Sequence, residues 1–261
     1  MAFKHIISRD NPVFKHLKKL ADNARERRAE GKTLLDGVHL IESYCEVIGE
    51  PELVIIPEGK SSAEANALMQ QLEHVNTMML PTLMFAELTP VASSTGILAL
   101  VTVPKSWSQI APPNSINFAL MLEDIQDPGN LGSMLRTALG AGVQAVYLSK
   151  GCTDAWSPKA LRGGQGAQCL LPIFEGVDIV EAMQNFTGKS YATTLNGESL
   201  YAQDLSQPTA FIIGNEGAGL SNKVLQAATH QISIPMHQNL ESLNAAAAAA
   251  VCLFERKRQL S

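Results

Sequence analysis

This chain of 261 residues has no run of about 18 apolar residues, so no membrane-spanning helix is expected. Its opening, MAFKHIISRDNPVFKHLKKL, lacks the apolar core and small-residue cleavage site of a secretion signal, and is expected to belong to the mature protein. Cysteine is sparse: Cys45, Cys152, Cys169 and Cys252 stand far apart, with no C-x-x-C and no histidine pair at ligand spacing. That argues against zinc or another metal, makes no demand for disulfides, and fits a reducing cytoplasm. Two nucleotide-binding signatures are also missing. The stretch Gly163-Gly164-Gln165-Gly166 has no Gly-Lys-Ser/Thr ending, and no Gly-x-Gly-x-x-Gly with its ribose-binding acid opens the chain. A phosphate-loop hydrolase and a Rossmann oxidoreductase are therefore disfavoured.

Positive charge is in short supply overall. The net charge is −5, which by itself speaks against a nucleic-acid partner. The distribution is uneven, however. Residues 1–32 hold nine basic side chains (Lys4, Arg9, Lys15, Lys18, Lys19, Arg25, Arg27, Arg28, Lys32) against four acidic ones (Asp10, Asp22, Glu26, Glu30). A basic segment on an acidic body is compatible with local phosphate binding, and equally with a solvated helix face.

What is present is an ordinary soluble composition, 46% apolar and 17% charged, at a length that suits one large or two modest domains. Residues 103–117 (VPKSWSQIAPPNSIN) carry three prolines and little apolar periodicity, which reads as a linker. The expected division is a domain over 1–105, a linker over 106–116 and a domain over 117–261. In the first part, Asn11 and Pro12 open a helix expected to run to Glu30, with Val13, Leu17 and Leu20 on one side. Strands are expected near Leu34, at Leu53–Ile56, Thr77–Leu80 and Ile97–Val103, with helices after Gly37 and over Ala63–Glu73. In the second part, strands at Phe118–Leu122, Ala145–Leu148, Ser190–Thr194, Phe211–Ile213 and Gln231–Ile234 alternate with helices at Leu131–Gly140, Pro158–Arg162, Ile179–Phe186, Ser221–Ala227 and Leu243–Arg258. That spacing predicts a parallel sheet with helices on both faces.

Three segments of the second part share one design: an apolar strand breaks into a glycine- or asparagine-bearing loop and then opens a helix. They are LEDIQDPGNLGSMLRTA (122–138), FIIGNEGAGL (211–220) and ISIPMHQNLESLNAA (232–246). In the first, Asp127-Pro128-Gly129-Asn130 is a turn cluster, and Arg136 projects early from the helix at a strand's carboxyl end, where ligands of α/β sheets sit. In the second, Gly214 lets the backbone approach a ligand with no Cβ in the way. In the third, Ser242-Leu243-Asn244 leads into a six-alanine run, a strong helix former.

Together the three segments resemble the signature motifs of the SpoU (TrmH) branch of the SPOUT RNA methyltransferases. Residues 147–172 are similar too, although the doubled glycine at 163–164 and Gln165 depart from the commoner pattern. The resemblance implies a C-terminal knotted (trefoil) parallel-sheet SPOUT methyltransferase domain with a smaller N-terminal α/β ribosomal-protein-like domain. It implies S-adenosyl-L-methionine as cofactor, and it places Asn130, Arg136, Glu216, Ser242 and Asn244 at the catalytic centre. Thr194, Leu195, Asn196, Gly214, Ile234 and Leu243 become the cofactor contacts. An arginine fork at Arg136 can hold a phosphate and align the adjacent ribose. Glu216 is as well suited to bracing a loop as to direct chemistry.

Residues 11–42 and 92–101 resemble the substrate-binding domain that many SpoU enzymes carry, which makes Lys15, Lys18, Lys19, Arg25 and Arg28 the candidates for RNA phosphate contacts. The expected protein is thus a cytoplasmic, homodimeric RNA 2′-O-ribose methyltransferase acting on ribosomal RNA, with transfer RNA as second choice. A knotted enzyme that methylates a base, and a non-catalytic RNA-binding ribosome-assembly protein, are the alternatives.

Overall fold

The computed structural model describes residues 3–59, 61–89, 96–104, 116–237 and 242–261. The chain divides into two compact units, Met1–Lys105 with Asp154–Cys169, and Ser106–Thr153 with Leu170–Ser261. The expected second domain ran unbroken over 117–261, whereas the contacts of residues 154–169 group them with the first unit. The expected linker, apart from Ile116, lies outside the described residues, as do residues 92–95 and 238–241 of the motifs above.

The first unit is built on five strands, β1 (Phe3–His5), β2 (Lys32–Asp36), β3 (Leu53–Pro57), β4 (Thr77–Leu80) and β5 (Leu98–Thr102), in the order β1-β4-β3-β5-β2. The pairs β1/β4 and β3/β4 are parallel, while β5 runs antiparallel to both β3 and β2. Five helices come from its N-terminal stretch: α1 (Pro12–Asp22), α2 (Ala24–Glu30), α3 (Val38–Val47), α4 (Ala63–Gln71) and α5 (Thr82–Ala86). Asn11 caps α1 as expected, accepting a hydrogen bond from the Val13 N–H at 2.9 Å. Phe14, Leu17 and Leu20 bury its apolar side against Ile55, Met78 and Leu98 of the sheet.

The single helix expected over 12–30 is two. Asn23 adopts an extended conformation (φ −125°, ψ 111°), ends α1 and turns its side chain onto the Arg25 N–H to cap α2. Asparagine competes with the helix for its own backbone, so it settles more readily at a cap than in a helix interior.

The second unit carries six strands: β6 (Phe118–Leu122), β7 (Ala145–Ser149), β8 (Ile173–Val177), β9 (Lys189–Ser199), β10 (Thr209–Ile213) and β11 (His230–Ser233). All pairings are parallel, in the order β11-β9-β10-β6-β7-β8. Helices α6 (Pro128–Ala141), α7 (Pro158–Gly164), α8 (Ala167–Leu170), α9 (Ile179–Asn185), α10 (Asn222–Ala227) and α11 (Ala245–Gln259) complete the chain order, α7 belonging to the first unit. β6 and β10 are buried along their whole length, as central strands covered on both faces must be. Ala119, Met121, Ala210 and Ile212 pack with Ile179 and Met183 of α9 and Val224 of α10. The alternate residues Leu120, Leu122, Phe211 and Ile213 point to the other face. There α11 packs on both α6 and β10.

From β6 the chain moves outward through β7 to β8, then returns to the other side with β9, β10 and β11. The strand order therefore reverses between β6 and β10. Loops leaving the carboxyl ends of two such strands diverge and leave a crevice, the usual ligand position in open parallel sheets. Among the described residues, no helix is long and apolar enough to cross a membrane.

Candidate functional site

A cavity of about 550 Å³ opens at the carboxyl ends of β9 and β10, on the β10 side of that reversal. Its walls come from four places in the second unit: Thr193–Asn196 on β9, Ile213–Leu220 at and after the end of β10, Leu225 on α10, and Ile234, Met236, Ser242, Leu243, Ala245 and Ala248 before and within the start of α11. All six residues expected to contact a cofactor (Thr194, Leu195, Asn196, Gly214, Ile234, Leu243) border it, and so do Glu216 and Ser242.

Local geometry explains why each wall is there. The strand expected to end at Thr194 continues to Ser199, and within it residues 193–197 are pushed out of register: Gln231 of β11 pairs with Ala192, while Ile232 pairs with Glu198. The intervening residues bulge from the ladder toward the cavity. Gly197 is required there, since a Cβ would sit 2.5 Å from the Ile232 carbonyl carbon. Gly214 has a similar reason, and it differs from the expected one. A Cβ at Gly214 would lie 2.4 Å from the backbone of Gly219, so the glycine admits the chain's own turn rather than a ligand. Asn215 and Gly219 close that turn with mutual backbone hydrogen bonds of 3.1 and 2.9 Å.

The first motif also differs in detail. Pro128, Gly129 and Asn130 are the first turn of α6 rather than a separate turn. Asp127 is the N-cap, its carboxylate accepting from the Asn130 N–H at 2.8 Å. Just before it, Asp124 takes the left-handed conformation (φ 55°), which asparagine and aspartate tolerate best among non-glycine residues. Ser149 fixes it, donating its hydroxyl to Asp124 Oδ1 at 2.6 Å and accepting the Asp124 N–H at 2.9 Å.

Glu216, Asn130 and Asn244 form one polar chain across the three motifs. Asn130 Nδ2 donates to Glu216 Oε1 at 3.1 Å, and Asn244 Nδ2 donates to Asn130 Oδ1 at 3.1 Å. Asn244 Oδ1 caps α11, accepting from the Ala246 and Ala247 N–H groups at 2.9 and 3.3 Å. Both ends impose a direction. An ionised carboxylate can only accept, and the free amides of a helix start can only donate. Each asparagine is thereby locked in one amide orientation with one N–H left over.

Glu216 also accepts from the backbone N–H of Gln126 (3.3 Å) and Asp127 (3.4 Å). Partial burial opposes its charge, but the hydrogen bonds from Asn130 and from backbone amides outweigh that and hold its carboxyl below the usual glutamate range. A carboxylate so stabilised is a weak base at neutral pH and a good brace.

Arg136 stands apart. It is exposed on α6, two turns beyond the helix start, and does not border the cavity. In the first unit, Lys15 pairs with Asp10 at 2.8 Å. Lys18 pairs with Asp22 at 3.0 Å and donates to the Glu87 carbonyl at 2.8 Å. Lys19, Arg25 and Arg28 are exposed. Arg27, counted with the basic segment, is buried and structural: its Nε meets Asp154 Oδ2 at 2.7 Å, and its Nη1 donates to the Leu20 carbonyl at 2.6 Å. Sequence reasoning missed Asn215 and Glu123. Both are polar residues next to strand ends, a weak signal by itself. Among the described residues, no three His, Cys, Asp or Glu side chains gather to hold a metal ion.

The cavity suits S-adenosyl-L-methionine. The Thr194 hydroxyl is buried without a partner among the described residues, while Thr194 borders the cavity. Such an orphan is costly unless a ligand satisfies it. Leu195, Ile213, Leu220, Ile234, Met236 and Leu243 offer apolar surface, and the glycine turn offers backbone amides and carbonyls. That is the combination a nucleoside with a thioether-like tail needs.

Comparisons with known proteins agree with this architecture. The model of the SpoU rRNA Methylase family matches residues 117–254. An uncharacterized tRNA/rRNA methyltransferase of Synechocystis is 34% identical, over 97% of this chain and 93% of its own length. The 23S rRNA (guanosine(2553)-2′-O)-methyltransferase RlmP of Bacillus subtilis is 31% identical, over 96% of this chain and 98% of its own length. Among solved structures, the SpoU methyltransferase AviRb from Streptomyces viridochromogenes, in complex with the cofactor AdoMet, superposes with a TM-score of 0.82 at 28% identity, covering 96% of this chain and 99% of that one.

Proposed function

The chain belongs to the SpoU rRNA methylase family, and from that premise we propose that it transfers the methyl group of S-adenosyl-L-methionine to a ribose 2′-hydroxyl of ribosomal RNA. The observation that carries this reading is that the second and third motifs border one cavity, with the first tied to both by the Glu216, Asn130 and Asn244 chain. Two named relatives act on the 2′-oxygen of 23S rRNA, RlmP and a uridine-specific enzyme of Streptomyces viridochromogenes, which favours rRNA over tRNA.

When bound, S-adenosyl-L-methionine supplies an electrophilic methyl group on a positively charged sulfur. Thr194, Leu195, Asn196 and the turn after Gly214 would hold its nucleoside, with Ile234 and Leu243 closing the apolar side. The work left to the chain is to present the ribose hydroxyl in line and to keep it there, where proximity and orientation supply much of the acceleration. The unused N–H groups of Asn130 and Asn244 are fixed in direction and suit that task, and Ser242, which borders the cavity, adds a hydroxyl. Glu216 braces both asparagines. Arg136 holds an adjacent phosphate with its planar fork of donors.

Arg136 lies exposed on α6 outside the cavity lining, and Phe254 of α11 is exposed close to Gly140 of α6. Both observations support a homodimer whose interface completes the pocket. The trefoil threading of the C-terminal segment, an RNA-binding first domain gripping phosphates with Lys15, Lys18, Lys19, Arg25 and Arg28, and a cytoplasmic location belong to the same reading. Four free thiols favour that compartment.

The test is transfer of labelled methyl from S-adenosyl-L-methionine to total RNA from a strain lacking this gene, with Arg136→Ala beside the wild type. Label is expected in 2′-O-methylnucleosides of 23S rRNA, and lost in the variant. Label on a base would refute the ribose assignment. RNA binding without transfer would favour an assembly protein.

A further inference from the structure

Glu123 has no role in the chemistry derived above, yet its side chain reaches the far end of the glycine turn. It follows β6 directly, and its backbone N–H donates to the Ile213 carbonyl at 2.9 Å. Its carboxylate grips a single residue with both oxygens. Oε2 accepts from the Ser221 N–H at 2.7 Å, and Oε1 accepts from the Ser221 hydroxyl at 2.7 Å.

Ser221 is where the turn becomes α10, and its hydroxyl also accepts from the Val224 N–H at 3.4 Å. On either side of it stand Leu220 and Leu225, both bordering the cavity. The turn itself carries Gly214, Gly217 and Gly219, the last at φ +69°. A segment this rich in glycine loses much conformational freedom when ordered, so its two ends must be held to keep one shape. The Asn215 and Gly219 backbone bonds hold the entrance. The two short, charge-assisted bonds from Glu123 hold the exit.

We propose that Glu123 is a positioning residue for cofactor binding: by clamping Ser221 it fixes the wall formed by Leu220 and Leu225, and so sets the affinity for S-adenosyl-L-methionine without touching it. The inference rests on the function proposed above.

The test is calorimetric titration of the full-length protein with S-adenosyl-L-methionine, alongside thermal melting and steady-state kinetics. Glu123→Ala loses both acceptors and is expected to weaken cofactor binding by about tenfold or more, the scale of a lost charged hydrogen bond. The loss should fall on the KM for the cofactor more than on kcat. Glu123→Gln keeps an acceptor for the Ser221 N–H and should recover affinity to within about threefold of wild type. Ser221→Ala removes one of the two bonds and should fall between them, which keeps the idea testable if Glu123→Ala does not fold. A Glu123→Ala protein that melts early but binds the cofactor like wild type would show a purely structural role and overturn the inference. So would wild-type affinity in both Glu123→Gln and Ser221→Ala when Glu123→Ala is unfolded. Wild-type protein that binds no S-adenosyl-L-methionine would instead overturn the functional reading, and this inference with it.

Discussion

In the first unit, charged side chains find one another. Arg9 with Glu87, Lys15 with Asp10, Lys18 with Asp22 and Lys32 with Glu52 make ion pairs at or near its surface. Arg27 and Asp154 make one more in its interior, each side chain only 6% exposed. The cavity in the second unit is lined mostly by apolar and neutral polar groups, Glu216 being the only carboxylate among the described residues that border it, and two further amides, Asn130 and Asn244, join it in a chain. The difference is physical. Exposed ion pairs are worth little, about 0–1 kcal/mol, because water and salt screen them, so a surface can carry many without being fixed by them. A buried pair is different: it matters chiefly when one partner is removed, since the other is then stranded. Amides can be bound in series without burying net charge, and their donor and acceptor ends give the series a direction. In the function proposed above, the first unit would offer charge to a charged polymer and the second would offer direction to an uncharged hydroxyl.

That contrast can be broken at five points. The largest effect is expected at Arg27. Arg27→Ala leaves Asp154 buried and alone, and should destabilise the protein by about 3–5 kcal/mol in denaturant unfolding. Replacing both partners, Arg27→Met with Asp154→Leu, should restore most of that loss. If the single variant unfolds like wild type, the buried pair is not what joins residues 154–169 to the first unit.

Next is the amide chain. Asn130→Ala removes the central link between Glu216 and Asn244, and should lower kcat by roughly 10²-fold, the scale of losing one preorganised donor. Melting temperature should change little, since α6 keeps its Asp127 cap. An equal loss of stability and activity would mean that the chain serves folding instead. At Gly214, alanine would place its Cβ against the Gly219 backbone, and a cost of about 1–3 kcal/mol is expected from overpacking. Denaturant titration checks it, and no loss would mean that the turn yields easily.

Smaller effects belong to the exposed charges. Lys19→Ala, Arg25→Ala and Arg28→Ala should each weaken RNA binding similarly across sequences and lower the slope of log affinity against log salt by about 0.7–0.9. The slope, measured by filter binding, decides the matter; an unchanged slope would remove that residue from the RNA surface. The smallest effect is the acid limb of Glu216. Its folded pKa lies below its unfolded value of 4.5, so its contribution to stability is fully present above that value. It is lost as pH falls through the folded value. Glu216→Gln should therefore flatten the acid side of the stability profile and leave the profile near pH 7 parallel to wild type.

Much of this was legible in the chain. The strands β3, β4, β6, β7 and β10 stand out as short apolar runs bounded by turn residues, and burial on both faces is what makes such runs visible. Asn11 with Pro12 announced α1, because a cap and a fixed φ act within four residues. β8, with only Ile173 and Phe174 buried, carries too little apolar pattern to be seen. The break at Asn23 was hidden because the pattern on either side is helical, and one side chain chose the cap. The residues bordering the cavity were found through motif resemblance rather than through periodicity.

What the sequence determined by itself is local: propensity, capping and the alternation of strand and helix that obliges a parallel sheet. It also fixed where glycine permits a turn. What only the tertiary structure decided is which distant groups meet. Arg27 became a core residue because Asp154 lies against it, although the two are 127 positions apart. Glu216 became a brace because Asn130 and two backbone amides, some 86 to 90 positions away, turn toward it. Gly214 owes its lack of a side chain to Gly219, brought close by the turn. In each case the charge or shape of the residue is written in the chain, but its role depends on the dielectric and the partners around it, and those exist only after the strands have been ordered into a sheet.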